Sequence, residues 1–524
     1  MGNEAQEPNH MVANTVISNE EFGALMRRRT QRLMCAAVYL SAHRHEPTSL
    51  TRPLLGDLLS QSAQVEEVLD SYGARNNLHW HTFRSIVAAI KLFSNVSYEL
   101  LHIQHSLPYY RLLPLEQDFD RATQRALEFT SEILVEATDR ILRQAERLGL
   151  WIPPLAPCVD MYREVLPRGR LVQDLATRKS ETVAKTVTTV ATAFLNLAAE
   201  TKPSLPSRRI DPSEYPAFLA GPITEESLRS IEFRFHNLQS LYDTNVSKTE
   251  VEGIDKDLPV LRGHISVVLH LLRTATDFAH YYERHVDSKT QLSGEYTLNL
   301  VPADKLLSKL MNYSVNFAGQ YLASAVVLCR EMLSRYTEVG SIEVPVPAYR
   351  GFHVRPSTLI AKLVLHYGSE VRMEMDDESY DASSPLELFR ANEKINARKR
   401  RWLAEEVART GLVSQDIGDR EPAQVVHDTI MALAEQGKIV IYEQPLKLLG
   451  RPIRPDSSLL QWVTDEIARL QATGKIDIGT NLTIRFVGDK RVLADIQLLA
   501  ESGYGEDSLG NNVPLPDKLA YLRK

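Results

Sequence analysis

The feature that most constrains the fold is a long stretch of helical periodicity in the N-terminal part of the chain. From Glu20 to about Thr337, apolar residues recur at the spacing of one helix face. The pattern predicts helices over about 20–43, 52–71, 80–106, 116–149, 169–200, 223–247, 258–286 and 302–337, separated by prolines and glycines. Several of these helices are long enough to pack side by side, so we expect an all-helical bundle domain over 19–340.

Composition indicates an ordinary globular protein with more than one domain. The chain has 524 residues, of which 24% are charged and 44% hydrophobic. A net charge of -7 provides no basic surface, so we do not expect nucleic-acid binding as its main task. The sequence shows neither a membrane-spanning stretch nor a signal peptide, and residues 1–18 look like a flexible tail. We therefore predict a cytoplasmic protein without membrane contact.

The three cysteines suggest neither a disulfide framework nor a zinc site. Cys35, Cys158 and Cys329 lie far apart in the sequence, mostly in apolar helical context. We interpret them as packing residues of the core.

Beyond the helical stretch, the chain changes from a strand to a helix around His353. Residues 342–346 alternate between apolar and polar side chains, and residues 360–367 return to helical spacing. Pro356 suits the first turn of a helix, where its missing N–H costs nothing, so His353 falls near the N-cap. Free amides and the positive end of the helix dipole form an anion site there, and Arg355 adds a guanidinium that can grip phosphate oxygens.

The run Gly351-Phe352-His353-Val354-Arg355-Pro356 resembles the active-site motif of HPr, the phosphocarrier of the bacterial phosphoenolpyruvate-dependent phosphotransferase system. The segments that follow fit the β-α-β-β-α-β-α order of that family. Residues 370–375 alternate as a strand before a turn at Asp376-Asp377, and Ser384-Pro385-Leu386-Glu387 has the N-cap, first-turn proline and capping-box glutamate of a helix start.

The resemblance covers residues 341–393 and 479–503 of a C-terminal domain over 341–524. The resemblance implies an open-faced β-sandwich, interrupted here by an insertion at 394–478 and followed by a C-terminal extension at 504–524. The fold class that we expect is thus multidomain, mainly α plus α+β. In the insertion, residues 438–442 predict a strand that either belongs to a small α/β subdomain or extends the main sheet.

The resemblance also implies a role for each residue of the motif. His353 would accept a phosphoryl group from enzyme I at its first ring nitrogen and pass it to a downstream protein, with Arg355 stabilising the phosphate. Gly351, Pro356 and Ser357 would support phosphate binding, although the Ser357 hydroxyl equally suits the completion of a helix turn. No cofactor is needed for such a relay.

The second helix of this domain carries two further candidate sites. Ser384 occupies the position of the regulatory phosphorylation site of HPr, although its role as an N-cap is sufficient to explain it. Pro385, Leu386 and Phe389, with Arg390 at the edge, would form an apolar patch that either meets partner proteins or is covered by the helical domain. The basic run from Lys394 to Arg401 indicates a solvated helix face, with contact to an acidic partner or polyanion as the alternative.

Metal binding in the helical domain is a weaker hypothesis. Glu99-x-x-His102 and Asp277-x-x-His280 have the spacing used by di-metal bundles, but no full set of carboxylates can be assigned to facing helices. We expect no metal site. Signatures of familiar enzymes are also missing from the sequence.

These observations predict a regulator or phosphocarrier of the phosphotransferase system rather than a free-standing enzyme. Since a carrier needs only the small module, the fused helices suggest that the chain itself reads out phosphorylation. The alternative is a scaffold that keeps an HPr-like fold as an interaction surface and is not phosphorylated. The sequence indicates neither the downstream partner nor the oligomeric state.

Overall fold

The helical periodicity of the N-terminal part corresponds to helices in the structure. A computed structural model describes residues 16–46, 50–155, 162, 171–172, 182–286, 300–413, 421–450 and 458–523. The first helices of this part are α1 (Asn19–Arg29), α2 (Gln31–Ala42), α3 (Arg52–Ser71), α4 (His81–Ser106), α5 (Phe119–Arg147) and α6 (Val183–Thr201). They are followed by α7 (Tyr215–Leu219), α8 (Glu225–Asn245), α9 (Glu250–Ile254), α10 (Leu258–Tyr281), α11 (Ala303–Lys309) and α12 (Asn316–Tyr336). Most of the predicted tail, Cys158 and much of the first half of the predicted helix 169–200 lie outside the described residues.

The described chain divides into two compact units. The first comprises Met1–Thr186 and Leu197–Leu328, and the second comprises Val187–Asn196 and Cys329–Lys524. The sequence prediction instead placed one boundary at 340 and kept 187–196 in the helical domain. The protein thus combines a helical unit with a mixed α+β unit.

The first unit is built from long helices packed in pairs. Helix α4 packs against α3, α5 and α10, and α10 also packs against α8. The apolar stripe of α10 is buried, including Val267, Leu271 and Phe278. Phe278 and Tyr281 meet Phe93 of α4 with ring centroids 6.5 Å and 4.9 Å apart. Aromatic contacts of this kind join the apolar faces of the two helices.

Helix α4 is the one described helix that is long and apolar enough to cross a membrane. In its most apolar window, 72% of the residues are buried inside the protein. Such burial is typical of a core helix, which passes the same test of length and composition.

The second unit contains a four-stranded antiparallel sheet with the order β1-β6-β2-β3. The strands are β1 (Val339–Pro345), β2 (Val371–Met375), β3 (Glu378–Asp381) and β6 (Thr483–Asp489). Helix α13 (Val354–Tyr367) follows β1, helix α14 (Pro385–Thr410) follows β3, and helix α17 (Lys490–Glu501) follows β6. Ile484 and Phe486 of β6 face the core, while Thr483 and Arg485 are exposed. One face of the sheet is therefore buried under helices, as the predicted alternation requires.

The insertion forms a subdomain with its own core. Helix α14 continues through residue 394 without a break, so the insertion begins inside a helix. Helices α15 (Pro422–Glu435) and α16 (Leu459–Ala472) accompany a separate two-stranded sheet of β4 (Ile439–Ile441) and β5 (Ile476–Ile478). Ile430, Val463 and Ile467 pack in this core. Of the two arrangements that the sequence left open, the separate subdomain is the one observed.

The two described cysteines differ in state. Cys329 is a buried free thiol, and burial raises its pKa. Cys35 is disulfide-bonded. The interpretation of all three cysteines as packing residues is therefore wrong for Cys35.

Candidate functional site

The loop between β1 and α13 turns sharply before it reaches His353. Arg350 and Gly351 have φ values of 55° and 63°, which place both in the left-handed region. This conformation is unfavourable for a residue with a side chain such as Arg350. His353 then adopts an extended conformation as the N-cap of α13. Backbone strain next to a histidine is typical of functional sites, where surrounding contacts hold it in place.

Asn392 of α14 supplies the contacts that hold this loop. Its Oδ1 accepts a hydrogen bond of 2.9 Å from the Phe352 N–H, and its Nδ2 donates to the Arg350 carbonyl over 3.1 Å. Only 8% of Asn392 is exposed. A Cβ atom at Gly351 would overlap its Oδ1, so the position requires glycine for space as well as for φ.

We expect Gly351→Ala to destabilise the second unit by roughly 2 kcal/mol, because alanine adds both left-handed strain and a clash with Asn392. Gly411→Ala is the matched control. Gly411 has a similar φ of 62°, but no atom of the described residues lies within 4 Å of a Cβ placed there. That variant should lose only about 1 kcal/mol. Urea unfolding of both variants measures the difference, and equal losses would show that the Asn392 contact contributes nothing.

The His353 imidazole lies against the C-terminal extension. Its Nε2 is 2.7 Å from Oε1 of Glu506, and the side chains of His353 and Glu506 are 24% and 3% exposed. The Tyr349 ring meets the imidazole edge-on, with centroids 5.3 Å apart. Within the described part of the chain, the other ring nitrogen, Nδ1, has no hydrogen-bond partner. His353 is thus held at one nitrogen and partly open to solvent.

Arg355 also contacts the C-terminal extension. Its Nη1 donates to Oδ1 of Asn512, and its Nε is buried without a hydrogen-bond partner among the described residues. The guanidinium therefore keeps donor capacity that Asn512 does not use.

Within the described residues, no hydrogen-bond acceptor is found for the first backbone amides of α13. No side chain among the described residues caps this end of the helix. Pro356 is buried in the first turn, as predicted. The Ser357 hydroxyl is buried and donates to the Phe352 carbonyl over 2.8 Å, so it completes the turn. Unpaired amides at a helix start, with Arg355 alongside, favour an anion.

The candidate residues of the second helix form a separate group. Ser384 is the N-cap of α14 and accepts from the Glu387 N–H over 3.4 Å. The predicted capping box forms only in this half, because the Glu387 carboxylate accepts from Arg390 instead. Leu386 is 66% exposed, whereas Pro385 and Phe389 are half-buried. In the described residues, no hydrogen bond or ion pair links Ser384–Arg390 to His353 or Arg355.

Both the insertion at 394–478 and the C-terminal extension contact the His353 loop. The insertion contributes Tyr442, whose ring lies 4.8 Å from that of Tyr349 and whose hydroxyl donates to the Ala348 carbonyl over 3.4 Å. The extension contributes Glu506 and Asn512. Sequence reasoning missed all of these residues, and also Asn392, because nothing in their local pattern marks them.

Two histidines of the first unit lie against carboxylates. Glu99 Oε2 lies 2.5 Å from His270 Nδ1, and His280 Nδ1 lies 2.9 Å from Glu225 Oε2. Burial lowers the pKa of His102 to about 4, so this imidazole is neutral at physiological pH. Among the described residues, no group of three or more possible ligands is arranged to hold a metal ion.

Comparisons with known proteins add nothing to this geometry. Neither the family models, nor the curated proteins, nor the solved structures gave a match. A function for this chain therefore has to be argued from its own residues.

Proposed function

We propose that the second unit carries a phosphoryl group on His353, received from enzyme I of a bacterial phosphotransferase system and passed to a downstream protein. The observation that carries this proposal is the position of His353 as the N-cap of a helix whose start no described side chain caps, with Arg355 two residues further on. The element order β1-α13-β2-β3-α14, resumed by β6 and α17, supports the proposal because it is the order that the resemblance to HPr implies.

The chemistry of such a relay needs little from the protein. A neutral imidazole is nucleophilic through its unprotonated nitrogen, and the phosphoryl group that it takes carries negative charge. The amides of α13, its dipole and the Arg355 guanidinium would balance that charge. Because these groups are fixed by the fold, they act without further reorganisation.

The proposal includes regulation by the fused helical domain. A carrier would need only the second unit, whereas the chain devotes most of its length to helices. We infer that phosphorylation of His353 is read out by the chain itself or by a protein that binds it. Enzyme I and a downstream acceptor are the partners that this role implies, and a cytoplasmic location follows from them. The disulfide at Cys35 argues against that location, since disulfides are rare in the cytosol.

Incubation with radiolabelled phosphoenolpyruvate and purified enzyme I tests the relay. We expect the full chain to take up an acid-labile label, and His353→Ala to lose it completely. His427→Ala is the control, since His427 is a partly exposed histidine in the same unit. Label that persists in His353→Ala would overturn the assignment of the acceptor. No label on wild type, with enzyme I shown to be active on HPr, would overturn the relay.

A scaffold is the second candidate function. It is favoured by the contacts of the C-terminal extension with both functional side chains, which leave only 24% of the His353 side chain exposed. In that case His353 would not be phosphorylated, and the patch of Pro385, Leu386, Phe389 and Arg390 would serve as the binding surface. If neither wild type nor Glu506→Ala takes up label from active enzyme I, the scaffold is favoured.

A further inference from the structure

We propose that Glu506 is a positioning residue for His353, which holds the imidazole in the tautomer that can accept a phosphoryl group. This inference rests on the proposed function. It starts from the 2.7 Å contact between Glu506 Oε1 and His353 Nε2, in which the carboxylate side chain is only 3% exposed.

The contact determines which ring nitrogen carries the proton. An ionised carboxylate only accepts hydrogen bonds, so the ring nitrogen that faces it is the one that bears hydrogen. A neutral imidazole has a single N–H. When Nε2 carries that hydrogen, Nδ1 keeps its lone pair, and Nδ1 is the ring nitrogen without a partner in the described residues. A buried carboxylate that fixes a histidine tautomer in this way is a recurring device of catalytic and metal-binding histidines.

The C-terminal strap, residues 503–515, holds Glu506 in place. Tyr504 is 1% exposed and donates from its hydroxyl to the Pro345 carbonyl over 2.6 Å. Glu506 pairs with Asn512 in an isolated antiparallel bridge, and the Val513 N–H donates to the Gly505 carbonyl over 3.0 Å. Because Asn512 also accepts from Arg355, one turn of the strap orients both functional side chains.

Residues that follow this turn anchor the strap in the protein core. Leu515, Leu519 and Leu522 belong to the core of the second unit. The Tyr521 hydroxyl donates to Asp495 over 2.5 Å, and the Tyr521 ring stacks on His366 with centroids 4.1 Å apart. Glu506 is thus presented by a packed segment rather than by a loose tail.

The transfer step balances without a proton acceptor. The Nδ1 lone pair of His353 forms a bond to phosphorus while the bond between phosphorus and the donor breaks, and the electron pair of that bond stays with the donor. The proton on Nε2 remains in its hydrogen bond. The ring then carries a positive charge, which the Glu506 carboxylate balances. Onward transfer reverses the same changes.

Glu506→Gln in the full chain tests the inference with two readouts. We expect phosphoryl uptake from enzyme I to slow by roughly 10 to 100-fold, the usual effect of removing a partner that orients a functional histidine. Glu506→Asp should restore part of the rate. The ring ¹⁵N shifts of His353, assigned by comparison with His353→Ala, should show hydrogen on Nε2 in wild type and a mixture of tautomers in Glu506→Gln.

Asp507→Asn is the matched control. Asp507 lies next to Glu506 and accepts from the Leu509 and Asn511 N–H groups over 2.9 Å and 2.8 Å, so this variant removes a charge from the same turn without touching His353. We expect its uptake rate and ring ¹⁵N shifts to match wild type. If phosphoryl uptake slowed equally in Asp507→Asn, Glu506 would have only a structural role in the strap, and the inference would be overturned.

The outcomes separate this inference from the proposed function. If wild type takes up label while Glu506→Gln keeps its rate and its ¹⁵N shifts, the positioning role is overturned and the relay stands. Faster uptake by Glu506→Gln would also overturn the positioning role, and it would show that the strap blocks access to His353. If neither wild type nor any variant takes up label, the proposed relay is overturned. In that case the ¹⁵N shifts still test the tautomer assignment, which is overturned if the shifts of Glu506→Gln equal those of wild type.

Discussion

Replacing Lys399 with methionine is expected to lower the free energy of unfolding of the second unit by roughly 3 to 5 kcal/mol. Lys399 Nζ lies 3.0 Å from Asp477 Oδ2, and the two side chains are 4% and 3% exposed. Methionine keeps much of the apolar stem of lysine but carries no charge. Asp477 would remain as a buried carboxylate without its cation, which is the costly state. Urea unfolding, followed by hydrogen exchange in α16 and β5, measures the loss.

The other contacts of Asp477 do not replace the cation. Its Oδ1 accepts from the Ile478 N–H over 2.7 Å and from Gln471 Nε2 over 3.0 Å, and both donors are neutral. The cost of Lys399→Met therefore lies mainly in the uncompensated charge. We expect the double variant Lys399→Met, Asp477→Asn to regain most of the lost stability.

Lys394→Met on the same helix is the matched control. Lys394 pairs with Glu378, but both side chains are about half exposed, at 49% and 51%. Exposed ion pairs contribute at most about 1 kcal/mol. If the two lysine variants lost equal stability, burial would not explain the role of Lys399.

Lys399 also shows where reasoning from the sequence stops. It lies in the basic run from Lys394 to Arg401, which reads as a solvated helix face. That interpretation is wrong for Lys399, because its partner lies 78 positions further along the chain. A local charge pattern contains no information about a carboxylate brought close by a second sheet.

Where local pattern determines structure, the predictions succeed. Residues 342–346 alternate in polarity, and β1 is found at Val339–Pro345. Pro356 and the spacing of the following apolar residues predict the helix that begins at Val354. The Ser384-Pro385 start of α14 is also found, since N-cap and first-turn preferences act over only a few residues.

The parts of the site that depend on distant contacts could not be predicted. Glu506 lies 153 positions from His353, and Asn392 lies 40 positions from Phe352. The glycines and asparagines of the extension predict a loop that wraps a neighbouring surface, but they do not indicate which of its residues, such as Tyr504 and Leu519, are buried. Likewise, residues 439–441 could be placed only once β5 was known to pair with them. Short-range pattern thus located His353 but not the groups that surround it.

In the first unit, we expect Asp277→Asn to raise the free energy of unfolding at pH 8 and to leave it almost unchanged at pH 4. Burial raises the pKa of Asp277 to about 7 from its ordinary value of 3.8, and the nearby charge of Glu232 adds to this rise. The Asn95 amide opposes it, since its Nδ2 donates to Asp277 Oδ2 over 2.7 Å.

The sign follows from proton binding. Between about pH 4 and pH 7 the folded state holds a proton on Asp277 that the unfolded chain has lost, so stability falls as the pH rises through this range. Above pH 7, Asp277 is ionised in both the folded and the unfolded state, and the full free-energy cost of burying its charge remains. A rise of about three pKa units corresponds to at most about 4 kcal/mol.

Asparagine is a suitable replacement because it resembles the protonated carboxyl group in shape and never ionises. Its side-chain oxygen can still accept from Asn95, so the hydrogen bond survives the change. Hydrogen exchange of the α10 amides, measured from pH 4 to pH 8, should give a flatter stability profile for Asp277→Asn than for wild type. Asp120 lies at an exposed position in the first turn of α5, and the stability profile of Asp120→Asn should run parallel to that of wild type. Parallel profiles for Asp277→Asn would show instead that the carboxylate stays ionised in the folded protein and that Asn95 and solvent stabilise it sufficiently.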